Sequence, residues 1–309
     1  MPALRVATRG SPLALRQAEI VSLALAEAAG LGTGDQAAAE LVVVETAGDL
    51  QRDRPIAAIG GQGVFVKALE QALMDGRADL AVHSAKDLPS SFGVDGLGIV
   101  AVPVRADPRD ALVGRGLEGL GPGARVATGS ARRRAQLAWL RPDLRFEELR
   151  GNIGSRIEKV PAAGAVVIAY AALERLGMTD LAAEILAMST MLPQVGQGAL
   201  AVQCRLDDEA ACEAVRAIDD AGSHRCLDAE RAFLGELGGG CELPVGAHAE
   251  LGPGGTLVLQ GVVASLDGLV LLRREMSGPD PLELGRSLAR ELRDRCGGAQ
   301  VLSAAAGPL

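Results

Sequence analysis

Gly238-Gly239-Gly240-Cys241-Glu242-Leu243-Pro244 places a thiol directly behind three glycines and three residues ahead of a proline. Glycine has no Cβ, so a bulky group can come close to the chain there. Pro244 drives Leu243 out of helical geometry, which makes the segment after Cys241 extended or turn-like. The stretch reads as a bare loop that presents its sulfur. A free cysteine is most often a small buried hydrophobe, so two readings stand at this point. Cys241 either packs, or it is used for chemistry as a nucleophile or a point of covalent attachment.

Arginine recurs where strands give way to helices. Arg9-Gly10-Ser11, Thr128-Gly129-Ser130-Ala131-Arg132-Arg133 and Arg150-Gly151-Asn152-Ile153-Gly154-Ser155-Arg156 each follow a strand and open a helix. Helix N-termini attract anions through unpaired N–H groups and the positive dipole end. Arginine works against that dipole unless an anion is bound, and its guanidinium grips carboxylates bidentately. One such arginine would be read as the partner of a surface Asp or Glu. Three in the same structural position favour a bound polyanion. Asp87 is the exception, a carboxylate at a strand end beside Lys86. It either pairs with Lys86 or steadies a cationic or N–H-bearing part of an otherwise anionic ligand. His83 lies in the apolar run Leu80-Ala81-Val82, which suits a structural role as well as an acid–base one.

These residues need a frame of strands and helices. Leu4–Thr8 reads as a strand, Pro12–Ala29 as a helix capped by Ser11, Leu41–Val44 as a buried strand and Thr46–Gly63 as a long loop. A helix over Phe65–Asp75 and a strand over Asp79–His83 follow. After a hinge at Pro103–Pro108 the pattern restarts, with strands at Arg125–Ala127, Leu144–Leu149 and Ala165–Ala169 and helices from Ala131 and Ser155. Alternating strands and helices argue for parallel sheets in α/β domains. Ala199–Val202 reads as a strand returning to the first half. From about Gly222 the texture changes, and a helix over Leu227–Leu237, two β stretches over Leu257–Val263 and Leu269–Glu275 turning at Asp267-Gly268, and a last helix from Pro281 form a small α+β unit. The expected division is domain 1 over residues 1–103 and 199–218, domain 2 over 104–198 and domain 3 over 219–309. In open α/β sheets ligands bind beyond the carboxyl ends of the strands, so a cleft between two such domains is expected to be lined with arginine.

At 309 residues the chain suits two or three domains, and 48% hydrophobic with 23% charged residues is a globular composition. A net charge of −8 and 2% aromatics argue against nucleic acid as a partner. Only Lys67, Lys86 and Lys159 of the 31 basic residues are lysines. Five cysteines form no CxxC pair, which disfavours a zinc site or disulfide framework and fits a reducing compartment. No signal-type run opens the sequence, and the longest apolar run, Ala165–Leu173, is too short to span a bilayer. A cytoplasmic, soluble monomer with no membrane partner is expected.

The ordered set of motifs resembles the hydroxymethylbilane synthase (porphobilinogen deaminase) family. The segments are Arg5-Val6-Ala7-Thr8-Arg9 with Ser11-Pro12-Leu13-Ala14-Leu15, Val82-His83-Ser84-Ala85-Lys86-Asp87-Leu88-Pro89 and Asp107-Pro108-Arg109-Asp110-Ala111. The two arginine loops, Gln194-Val195-Gly196-Gln197-Gly198-Ala199, Glu230-Arg231-Ala232 and the Cys241 loop complete it. The resemblance implies two domains like those of periplasmic binding proteins and a third carrying the cysteine. It implies a dipyrromethane cofactor held by a thioether at Cys241, four porphobilinogen units added head-to-tail with loss of ammonia, and hydrolytic release of a linear tetrapyrrole. It casts Asp87 as the catalytic carboxylate, hydrogen-bonding pyrrole N–H groups and stabilising an azafulvenium-like cation. It casts Arg9, Ser11, Lys86, Ser130, Arg132, Arg133, Arg150 and Arg156 as binders of acetate and propionate side chains, with Arg175 nearby and Phe65 packing on pyrrole rings. Ala58 and Gln62 stand where many members have lysine, which leaves lid contacts weaker or to Arg52 and Arg54.

Overall fold

The computed structural model describes residues 3–30, 39–45, 64–90, 94–239 and 243–305. Ser84 leads from a strand into a single 3-10 turn, Ala85–Asp87. In chain order the first elements are β1 (Leu4–Arg9), α1 (Pro12–Ala28), β2 (Ala39–Val44), α2 (Val64–Met74), β3 (Leu80–Ser84) and β4 (Leu97–Ala101). Next come β5 (Asp110–Gly114), β6 (Arg125–Ala127), α3 (Ala131–Leu140), β7 (Arg145–Glu147), α4 (Ile153–Ile157), β8 (Ala165–Ala169), α5 (Tyr170–Arg175) and β9 (Ala182–Ile185). The chain ends with β10 (Leu200–Arg205), α6 (Glu209–Arg216), α7 (Ala221–Glu236), β11 (Val245–Leu251), β12 (Leu257–Ala264), β13 (Leu271–Gly278), α8 (Pro281–Arg290) and α9 (Gly298–Ala305).

Two five-stranded sheets share one topology. The first runs β2-β1-β3-β10-β4 and the second β7-β6-β8-β5-β9. In each, three strands are mutually parallel and a strand that enters from a crossover lies antiparallel between the third and the last. Strand–helix alternation predicts only parallel neighbours. The reversal arises because β5 and β10 follow the crossovers and start at the edge where the parallel strands end. Strand alternation buries both faces of the first sheet. Val6, Leu80, Val82 and Val202 pack with α1 and α6 through Val21, Leu25, Cys212 and Val215. Ala7 and Ala81 pack with α2 through Leu69, Ala72 and Leu73. Each of those leucines stabilises by about 2 kcal/mol relative to exposure, so Leu73→Ala would loosen α2.

The antiparallel sheet β11-β12-β13 is covered by α7 and α8, with Phe233, Leu234, Leu284 and Leu288 in its core. Gly261 lies beneath Phe233, where an added Cβ would meet the ring at 2.8 Å. The sequence motifs leave β11 unseen, and α7 begins at Ala221.

By compactness the chain divides into residues 1–105 with 199–224, and 106–198 with 225–309. The first unit extends to His224 because Asp219 Oδ1 accepts from Val102 N (2.7 Å) and Ser223 Oγ from Arg105 N (3.0 Å). The second unit holds both the β5–β9 sheet and the C-terminal sheet. Ala247 N donates to Pro193 O (3.1 Å) and Arg273 to the carbonyls of Met188 and Ser189, fastening the two together. No described helix is long and apolar enough to cross a membrane.

Candidate functional site

In the first unit, β1 and β3 are parallel neighbours, so Arg9-Gly10-Ser11 and Ser84–Asp87 lie on one edge of the sheet. Ser11 caps α1, its Oγ accepting from Ala14 N at 3.3 Å, and Pro12 takes the first helical position. Thr8 Oγ1 donates to Ala14 O (3.0 Å), which ties the end of β1 to the first turn of α1. Arg9, Ser11 and Lys86 are half-buried and Asp87 is exposed. The Asp87 carboxylate engages none of the described side chains, so it is not the partner of Lys86. Phe65 falls in the first turn of α2. Ala58, Gln62, Arg52 and Arg54 lie outside the described residues, as does Cys241.

The corresponding edge of the second unit is built around a buried carboxylate. Asp110, fully buried, starts β5 beside Ala169 at the end of β8. Arg132 Nη1 donates to Asp110 Oδ2 (2.8 Å) and to Leu192 O (2.7 Å). Arg133 donates through Nε to Asp110 Oδ1 (2.9 Å) and through Nη1 to Val167 O (2.8 Å), while Nη2 lies 2.7 Å from the same carboxylate. Gln197 Nε2 adds a bond to Asp110 Oδ1 at 3.0 Å. Burial alone would raise the Asp110 pKa, but the two guanidiniums and these hydrogen bonds hold it well below the usual carboxylate range. Burial also lowers the Arg132 pKa, against the attraction of Asp110.

Arg132 and Arg133 are therefore unlike. The Arg133 guanidinium is turned into the sheet, against Asp110 and Val167. Arg132 keeps two buried donors, Nε and Nη2, without a hydrogen-bond partner. A buried unsatisfied guanidinium donor is costly, and Arg132 lines a small pocket with Ser130, Gln194, Val195, Leu234, Leu243 and Val245. Ser130 Oγ caps α3 by accepting from Arg133 N at 3.4 Å. Leu243 is two residues beyond Cys241. Unpaired guanidinium donors beside such a pocket are the chemistry that takes up an anionic oxygen.

Arg150 is exposed after β7, with its carbonyl accepting from Lys159 Nζ at 3.2 Å. Arg156 is half-buried at the end of α4, where Asn152 caps the helix and Arg156 Nε donates to Gly151 O (2.7 Å). Arg175 ends α5 and donates through Nη2 to Gly198 O at 2.7 Å, and burial pushes its guanidinium down to about 10. It remains charged near neutrality.

Sequence reasoning gave Asp110 and Glu230 no role beyond their motifs. Glu230, fully buried, accepts from Gly196 N (2.7 Å) and Ala249 N (2.9 Å), joining the Gln194–Gly198 segment to β11. The signal was a charged residue on the buried face of a helix. Among the other cysteines, Cys204, Cys212 and Cys226 are buried. Burial pushes the Cys204 thiol up to about 12, which makes it unreactive. Among the described residues no group of three His, Cys, Asp or Glu is placed to hold a metal ion.

Comparison with known proteins places its boundary elsewhere, with one family model spanning both five-stranded sheets and a second covering the C-terminal sheet. The family model "Porphobilinogen deaminase, dipyromethane cofactor binding domain" matches residues 4–213. "Porphobilinogen deaminase, C-terminal domain" matches residues 224–294. A porphobilinogen deaminase of Rubrobacter xylanophilus is 48% identical over 304 residues, covering 97% of this chain and 96% of that one. That of Syntrophus aciditrophicus is 43% identical over 306 residues, covering 97% of each. That of Roseiflexus castenholzii is 44% identical, covering 97% of this chain and 98% of its own.

Proposed function

The chain belongs to the porphobilinogen deaminase family, and from that premise we propose how its residues perform hydroxymethylbilane synthesis. The enzyme is a transferase of porphyrin biosynthesis, working in the cytoplasm as a monomer. The bound dipyrromethane supplies the pyrrole carbon onto which four porphobilinogen units are condensed head-to-tail with loss of ammonia, before hydrolysis frees the linear tetrapyrrole. Cys241 is the attachment point through a thioether.

One observation carries this reading: Arg132, with two buried donors lacking a partner, lines a pocket whose wall includes Leu243, next to the Cys241 loop. Ser130 and Arg132 hold a cofactor carboxylate there, while Asp110 fixes the guanidinium from behind. A fixed donor needs no reorganisation when charge arrives, which is the source of its strength. Arg133 acts through Asp110 and positions its neighbour. Arg9, Ser11, Lys86, Arg150, Arg156 and Arg175 take up acetate and propionate groups as the chain lengthens, since each added pyrrole brings two more carboxylates. Asp87 accepts from pyrrole N–H groups and stabilises the positive charge that develops as ammonia leaves. Its exposed position at a strand end suits a group that must meet substrate. Phe65 packs on pyrrole rings.

Intact mass tests the reading. The purified chain should exceed its sequence mass by a dipyrromethane and turn porphobilinogen into a linear tetrapyrrole, while Cys241→Ser should carry no increment and no activity. An unmodified, inactive wild-type chain would refute it, and the same increment on Cys241→Ser would move the attachment elsewhere.

A further inference from the structure

Three buried polar side chains at the centre of the first sheet have no part in the chemistry above. Glu70 on α2 is 5% exposed, His83 on β3 is 6% exposed and Gln203 on β10 is fully buried. Gln203 Nε2 donates to Glu70 Oε1 at 3.2 Å, and Gln203 Oε1 lies 3.0 Å from His83 Nε2. Apolar residues of similar size would fill this space without the desolvation cost of a buried polar chain.

The order of donors and acceptors is fixed by chemistry. A carboxylate only accepts, so the Gln203 amide must turn its NH2 toward Glu70. Its carbonyl oxygen then faces His83, and a carbonyl also only accepts. His83 Nε2 must therefore carry the proton. His83 is the last residue but one of β3, paired with Ala201. Beyond Ser84 the segment leaves the sheet, held by Ala85 N donating to Ala199 O at 3.0 Å. Lys86 and Asp87 lie on that exiting turn.

We infer that Glu70 and Gln203 hold His83 in the Nε2–H tautomer and so set how the Lys86–Asp87 turn leaves the sheet. His83 is thus a positioning residue for the condensation. The kinetic part of this inference rests on the proposed function; the tautomer part does not.

The first experiment is a long-range 1H–15N correlation of the holoenzyme with labelled histidine, His83 being assigned by its loss in His83→Asn. Neutral His83 should show the Nε2–H pattern, and an Nδ1–H pattern would overturn the inference whatever the activity. The second is kinetic. Gln203→Leu should lower kcat about tenfold or more, as small misplacements of a reacting group do, with KM within about twofold of wild type. Combining Glu70→Gln with Gln203→Glu rebuilds the chain with the same His83 proton: the amide moved to the helix donates, and the carboxylate moved to the strand accepts from both sides. This swap should recover most of the kcat lost in Gln203→Glu alone, where two carboxylates that only accept face each other. A folded Gln203→Leu with wild-type kcat, or a swap no better than Gln203→Leu, would reduce the network to packing. A wild-type chain with the Nε2–H pattern but no turnover would count against the proposed function instead.

Discussion

The two five-stranded sheets have one topology and two electrostatic designs. In each, a strand from a crossover enters antiparallel at the edge where the parallel strands end. In the second sheet that strand begins with Asp110, which is fully buried and grips Arg132 and Arg133. In the first it begins with Leu200, paired with Ser84, and no carboxylate stands in the equivalent place. There the acid is Asp87, on the exit from β3, exposed and engaged with no described side chain. One sheet uses its carboxylate to hold two guanidiniums in place. The other leaves its carboxylate exposed. The repeated fold thus carries its acids at different places, one buried at the start of the reversed strand and one exposed on the exit from a parallel strand.

The largest effect expected from this contrast is on stability. Asp110→Asn removes the charge that faces two buried guanidiniums and should cost about 3–5 kcal/mol, a fall in Tm on the order of 10 °C. The pH dependence has a definite sign. The folded pKa of Asp110 lies below its unfolded value of about 3.9, so its contribution is present above that value and lost as pH falls through the folded one. The gap between wild type and variant in denaturant melts should be constant near neutrality and should close below about pH 4. A variant as stable as wild type at pH 7 would dissolve the contrast between the sheets.

Asp87→Asn should show the reverse. Loss of one electrostatic partner of a developing charge lowers kcat about 100- to 1,000-fold, or about 2.7–4 kcal/mol, whereas an exposed substitution shifts stability within about 0.5 kcal/mol. Steady-state turnover of porphobilinogen beside a thermal melt reads both. A stability loss as large as that of Asp110→Asn would make Asp87 part of the frame.

The sequence discloses these two acids unequally. Asp87 stood out as a carboxylate at a strand end where the other strand ends carry arginine. Asp110 stayed hidden just beyond the hinge at Pro103–Pro108, where no strand is read. Its partners are 22 and 23 residues away and meet it only through the reversed strand. The N-caps Ser11 and Ser130 were legible because capping is local chemistry. β5, β9 and β11 were not, since they are short or rich in Ala and Gly and lack the β-branched runs that mark strands. Consecutive arginines at 132 and 133 look equivalent in one dimension. In three they diverge, one toward a pocket and one toward the sheet.

The smallest effect lies in the two helix caps and is the finest probe of the comparison. Ser11→Ala and Ser130→Ala each remove a side-chain acceptor from a first helical turn, at 3.3 and 3.4 Å, and should each cost about 1 kcal/mol. On stability alone the two sheets then behave alike. Aspartate at the same positions restores the cap and suits the helix dipole. At Ser130, however, it puts a carboxylate into the pocket lined by Arg132, whose Nε and Nη2 have no partner. Ser130→Asp should therefore be as stable as wild type or more so, yet carry the covalent cofactor on a smaller fraction of chains, because the new side chain occupies the donors meant for the ligand. Intact mass resolves loaded from unloaded chains directly. Full loading of Ser130→Asp would show that Arg132 and Ser130 hold no carboxylate of the cofactor, and the second sheet would lose its claim to a prebuilt anion site.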